Sequence, residues 1–238
     1  MAAIVVPQRR SESSMTLAAL LIMVFILLAG FGPTYYLNPT NAVTFRTLTH
    51  IHAFTMVLWV ALFVVQVTLV RSRNIKQHIR LGTAGAALAI IMSIIAIGVA
   101  VQAAKYGSVS TPAGIDPLSF MAVPVLNILI FDVLFAAAVI LRKRAADHRR
   151  LMILTMIALL GPGLGRLKIE SLAALGPIFF LGFPVLLGIG LLVYDSWRNR
   201  RINRAFLLGL LFLLAGSVAM VAIGSTSWWM AFARWATT

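Results

Sequence analysis

The residues best suited to chemistry are four histidines, and two of them occupy matching places. His78 lies in His78-Ile79-Arg80-Leu81 and His148 in His148-Arg149-Arg150-Leu151. Each follows a short basic link and opens an apolar run, and the links begin alike, with Leu69-Val70-Arg71 before the first and Ile140-Leu141-Arg142 before the second. Each unit reads as an inward helix, a basic turn, a His and an outward helix, a parallel repeat about an axis normal to a membrane. Two imidazoles brought to one level from two helices could ligate a b-type haem axially. Gly82, Gly85 and Ala89 follow His78 as a small-residue stripe that would leave room for a flat ring. Arg80, Arg149 and Arg150 could hold its propionates. The competing reading is structural: histidines beside arginines cap helices or touch lipid phosphate, small residues let bare helices pack closely, and basic links resemble one another anyway.

A second stripe is polar. His52, Trp59 and Gln66 recur every seven residues and share one helix face. Gln66 lies deep in an apolar run, where an unsatisfied amide is costly, so this face should point into a bundle, to meet a ligand or to make interhelical hydrogen bonds. His50 points elsewhere, and His-x-His alone is a weak metal signal. Asp132 lies nine residues before Leu141, about 14 Å from the helix end. Acids at that depth are costly and are paired or functional. Arg166, beyond Gly161-Pro162-Gly163-Leu164-Gly165, is the candidate partner. Proton or cation handling is the functional reading of Asp132; an ion pair, or a protonated carboxyl hydrogen-bonded in the bundle, is the structural one. Gly161–Gly165 reads as a helix end or as a cavity wall.

Several chemistries are excluded or poorly served. The chain has no Cys, which removes thiol catalysis, disulfides and Cys-based metal sites. The last apolar run has no Lys for a retinal Schiff base, and no Ser-His-Asp or His-Glu cluster has helical spacing.

The elements that must position these residues are membrane helices. Only 11% of the 238 residues are charged, against about 25% in soluble domains, and the mean hydropathy is +0.98. A bilayer core of about 30 Å needs about 20 helical residues. The apolar runs are 15–32, 51–70, 81–101, 120–141, 151–164, 172–194 and 205–229. All but the fifth are long enough, and the first is too long for a signal-peptide core. The formal charge is +14, but the cations sit in short links, which fits topology signals and lipid phosphates rather than nucleic acid. Fifteen of the 20 Lys and Arg residues fall at the N-terminus and in the links after runs two, four and six. The positive-inside rule puts that side in the cytoplasm. Basic links flank runs five and six together, so both must cross. The expectation is an all-α polytopic bundle of seven transmembrane helices, N-in and C-out, with residues 1–14 a cytoplasmic tail, 15–238 the membrane domain, and a four-helix core from helices two to five within 48–170. Tyr35, Tyr36, Trp228, Trp229 and Trp235 mark the outer interface, Tyr194 and Trp197 the inner one.

The segments Phe31-Gly32-Pro33-Thr34-Tyr35-Tyr36, His50-Ile51-His52-Ala53, Trp59, Gln66, His78-x-Arg80-Leu81-Gly82, Asp116-Pro117, Phe120, Asp132, His148-Arg149-Arg150-Leu151-Met152 and Arg166 together resemble a family of uncharacterised bacterial seven-helix inner-membrane proteins. The resemblance covers about residues 30–170 and implies architecture and a bacterial cytoplasmic membrane, not a mechanism. A looser similarity is to four-histidine transmembrane b-type cytochromes, which hold two haems. Helix four has no His here, so one bis-His haem at most is implied, between His78 and His148. The leading functional reading is a redox or cofactor-handling membrane protein binding one haem b, or a quinone, with His52, Gln66, Asp132 and Arg166 lining the interior. The alternatives are a non-enzymatic accessory or assembly subunit of a membrane complex, partnered by other subunits as well as lipid, and a small proton-coupled transporter.

Overall fold

Long apolar runs with few charges can bury their backbone polarity only by forming helices, and every described element is helical. The structure, a computed structural model, describes residues 10–38, 46–107, 111, 114–167, 169–173 and 175–238. Helix α1, Arg10–Phe31, runs into a π-helical turn at Gly32–Tyr36. The helix begins five residues before the apolar run does at Met15, so Arg10–Ser14 extend it; residues 1–9, with Arg9, lie outside the described residues, as does Lys168. Helix α2 is Thr47–Arg71 and α3 is Ile75–Tyr106. The Asn74 side chain caps α3 by accepting from the Gln77 N–H. A single turn, Pro117–Phe120, capped by Asp116, leads into α4, Ala122–Ile140. Helix α5 is Ala145–Ala158, followed by a turn of helix at Gly161–Leu164. Helix α6 is Pro177–Asn199 and α7 is Arg204–Gly224.

Six helical segments are long and apolar enough to cross a membrane: Thr16–Tyr36, α2, α3, Pro117–Ile140, α6 and α7. The chain is a multi-pass membrane protein in contact with lipid.

The last apolar run is two helices instead of one. It breaks after Gly224, and a short helix α8, Ser227–Thr237, follows. A Cβ at Gly224 would come 2.6 Å from the Ser119 carbonyl oxygen, so helix and loop backbones are in close contact there. The Thr226 hydroxyl then accepts from the Trp229 N–H and starts α8 afresh. Buried Trp229 anchors α8 through its indole N–H on the Leu118 carbonyl, at 2.9 Å.

Around α5 the packing is densest. Arg150, Leu151 and every residue from Ile153 to Leu160 are buried. Helices α1, α4, α6 and α7 all pack on it, so the hydrophobic core reaches beyond α2–α5. The neighbours α1–α2, α2–α3, α3–α4, α4–α5 and α5–α1 are each in contact, which closes five helices into a ring. The Gly-Pro-Gly break is covered by protein on two sides. A Cβ at Gly30 of α1 would lie 2.1 Å from the Gly163 carbonyl oxygen, and one at Gly161 would lie 3.1 Å from the Phe180 carbonyl oxygen of α6. Irregular backbone at membrane depth is tolerated under such cover. The break is a packed helix end, not a cavity wall.

Candidate functional site

The first turn of α3 and the first turn of α5 each present one histidine. Asn74 caps α3 and its carbonyl accepts from the His78 N–H at 3.1 Å; the Arg144 carbonyl does the same for His148 at 3.0 Å. The two rings meet with centroids 6.2 Å apart and planes at 80°. His148 Nδ1 is 2.8 Å from the Ala138 carbonyl oxygen. A carbonyl can only accept, so Nδ1 carries a proton there. The His148 imidazole is thus oriented by a backbone group through one nitrogen, as metal-ligating histidines are. His78 has its Nδ1 buried without a partner.

Two polar clamps fix the start of α5. Arg150 and Asp195 of α6 form a bidentate ion pair, with Nε–Oδ2 2.8 Å and Nη2–Oδ1 2.7 Å, both side chains almost fully buried. Asn199 donates to the Asp195 carboxylate and carbonyl, and Arg150 Nη1 donates to the Ala146 carbonyl. One turn earlier, Asn203 at the head of α7 donates to Asp147 at 2.6 Å. Arg150 is therefore engaged with Asp195, and the expectation that it serves a propionate is corrected. Asp195, Asn199, Asn203 and Asp147 had no place in the sequence reading. Asp195 is one of only six acids in the chain, and an acid at the inner end of a spanning helix was the available signal.

The polar stripe of α2 does face the bundle. Trp59 is buried with its ring edge-on to Phe131 and Phe135 of α4, at 5.2 and 5.5 Å. Along this stripe His52 Nδ1, Trp59 Nε1 and Gln66 Oε1 are buried with no hydrogen-bond partner. The Gly82–Gly85 stripe of α3 is filled. A Cβ at Gly85 would meet Leu62 Cδ2 at 2.8 Å, and one at Gly82 would meet Gln66 Nε2 at 3.4 Å. These glycines seat α2 and do not form a slot for a flat ring.

The remaining residues separate. Asp132 accepts from Ser93 of α3 at 2.6 Å, which replaces the expected pairing with Arg166. Arg166 lies over the Phe31 ring, 4.6 Å from its centroid, and donates to the Pro162 carbonyl at 2.8 Å; its charge is within electrostatic reach of His52. His50 Nδ1 is 2.5 Å from the Tyr35 hydroxyl, a contact between α2 and the π turn where the sequence suggested only an interfacial Tyr. Asn127 donates to the Ala158 carbonyl, tying α4 to α5. Among the described residues no three His, Cys, Asp or Glu side chains gather as a metal-ligand group.

Comparisons with family models, curated proteins and solved structures give no match for this chain.

Proposed function

We propose that this chain is a seven-crossing protein of the bacterial cytoplasmic membrane, N-in and C-out, that carries one b-type haem between His78 and His148. The imidazole pair is the observation that carries this reading. Two imidazoles from different helices come to one place, with ring centroids 6.2 Å apart, and together would hold a haem. A pair of imidazoles suits a group that brings its remaining ligands with it, as haem does. With the Gly82–Gly85 stripe occupied, the group's place is at the inner end of the bundle, between the first turns of α3 and α5. Bound there, haem would supply one-electron chemistry. His78 and His148 would hold it, the Ala138 carbonyl would fix the His148 ring, and the clamps on α5 would keep His148 in register.

The seventh crossing is α5 with its following turn. Helix α5 reaches about 21 Å over its 14 residues, and the turn at Gly161–Leu164 carries the chain on toward the far side. The parity of the basic links supports the orientation.

The test is an absorption spectrum of the full chain purified in detergent after expression with ample haem. The expected result is a reduced-minus-oxidised b-type band that is lost in His78→Ala and in His148→Ala, each variant remaining monodisperse. A colourless protein, or a band that survives both substitutions, overturns the proposal.

A further inference from the structure

A groove runs between α1 and α2, in the half of the bundle that carries the basic links. Leu17, Leu20 and Val24 form one wall and Val64 and Val67 the other. Thr68 and Arg71 belong to the same lining. The Thr68 hydroxyl donates to the Val64 carbonyl at 2.9 Å, so Arg71 is the group there with hydrogen bonds to offer. Arg71 is the exposed last residue of α2, and exposed Arg73 and Lys76 follow it. The walls are apolar where hydrocarbon would lie, and the cations begin where they stop. The groove is open along one side and has a volume of about 430 Å³. At about 30 Å³ per heavy atom, the share of one water in the liquid, that is on the order of 14 heavy atoms, the scale of a single acyl chain.

We propose that the α1–α2 groove is a binding site for an anionic glycerophospholipid, with one acyl chain along the walls and the phosphate on Arg71. Charge complementarity selects this occupant. Basic pockets between helices on the cytoplasmic side take anionic head groups, and a neutral isoprenoid or zwitterionic lipid gains little from three neighbouring cations. The site lies on the lipid side of α2 and does not depend on the haem reading.

Native mass spectrometry of the full chain, titrated with phosphatidylglycerol and with phosphatidylcholine of the same chain length, tests it. Wild type should retain the anionic lipid preferentially. A Lys or Arg near the surface contributes about 1 kcal/mol to such binding, so Arg71→Gln should weaken phosphatidylglycerol retention about fivefold and leave phosphatidylcholine unchanged. Arg142→Gln, which removes an exposed cation from another link, should change nothing. Val67→Trp fills the groove and should displace the lipid, with Val24→Phe as a milder filling variant. Equal retention of both lipids with no effect of Arg71→Gln overturns the head-group assignment. Retention at the wild-type level in both groove-filling variants, or release of a co-purified quinone by them, overturns the site as a phospholipid site.

Discussion

Removing the Asp195 carboxylate should be the most damaging single change at the inner end of the bundle. Asp195→Ala leaves the Arg150 guanidinium almost fully buried and without its bidentate carboxylate, while its Nη1 bond to the Ala146 carbonyl remains. Breaking a buried pair by deleting one partner costs about 3–5 kcal/mol, because the other charge is left uncompensated. A chain of this size loses roughly 2–4 °C of Tm per kcal/mol, so the expected fall is roughly 6–20 °C. The assay is thermal unfolding in detergent, followed by the loss of the monodisperse peak on size-exclusion chromatography. Arg150→Met combined with Asp195→Leu removes both charges and should recover most of the loss, since a buried pair replaced by apolar groups is often neutral or better. A fall below about 2 °C in the single variant would refute the pair's burial. A double variant as unstable as the single one would show that the cost lies in lost packing rather than in the stranded charge.

Other outcomes follow from the same geometry. Gly30→Ala puts a Cβ 2.1 Å from the Gly163 carbonyl oxygen, backbone against backbone, and should cost about 1–3 kcal/mol or more, read as a lowered Tm; an unchanged Tm would mean that α1 does not touch the break. Trp59→Phe keeps an aromatic ring against Phe131 and Phe135 and removes a buried unpartnered N–H. Purified without a ligand, that variant should be as stable as wild type or up to about 1–3 kcal/mol more stable; a clear loss in chemical denaturation would show that the indole N–H has a partner. Asp132→Asn should leave the His78–His148 spectrum unmoved and cost about 1 kcal/mol at most, because its hydrogen bond is to Ser93 and an amide keeps an acceptor. A loss of proton-linked flux in vesicles carrying this variant would instead favour the transporter reading.

How much could be read in advance depended on whether the pattern was local. Length and hydropathy locate the six long helices because each apolar run must satisfy its own backbone. The matching basic links put His78 and His148 at one level, and the seven-residue spacing put His52, Trp59 and Gln66 on one face, because both are periodicities along a single helix. What touches across helices was not legible. Arg150 and Asp195 are 45 residues apart and share no pattern, so Arg150 was free to be assigned elsewhere. The small stripe of α3 was visible as small, but its occupants, Leu62 and Gln66, depend on how α2 rotates against it. The same applies to Asp132, whose partner Ser93 is a neutral hydroxyl that a search for cations passes over. The break after Gly224 was masked by the apolar residues on both sides, although Gly224-Ser225-Thr226 is a helix stop followed by an N-cap, and Thr226 does cap α8.

The position of the clamps has a physical reason in α5 itself. Its 14 residues reach about 21 Å, short of the bilayer core, and Asp147, His148, Arg149 and Arg150 fall within its first six. Such a helix is a poor span alone: charged groups near the hydrocarbon are costly, and the following Gly-Pro-Gly breaks the ladder that would extend it. Two of the charges and the break are covered by neighbours. Arg150 meets Asp195 of α6, Asp147 meets Asn203 at the head of α7, and the break is covered by Gly30 of α1 and the Phe180 carbonyl of α6. Helix α5 therefore takes its place through tertiary contacts, and those contacts fix both its depth and its rotation. His148 lies between Asp147 and Arg150 in sequence, so the groups that settle α5 at the inner end also determine where its imidazole stands relative to His78. Loosening either clamp should accordingly disturb the imidazole pair before it disturbs the lipid-facing helices.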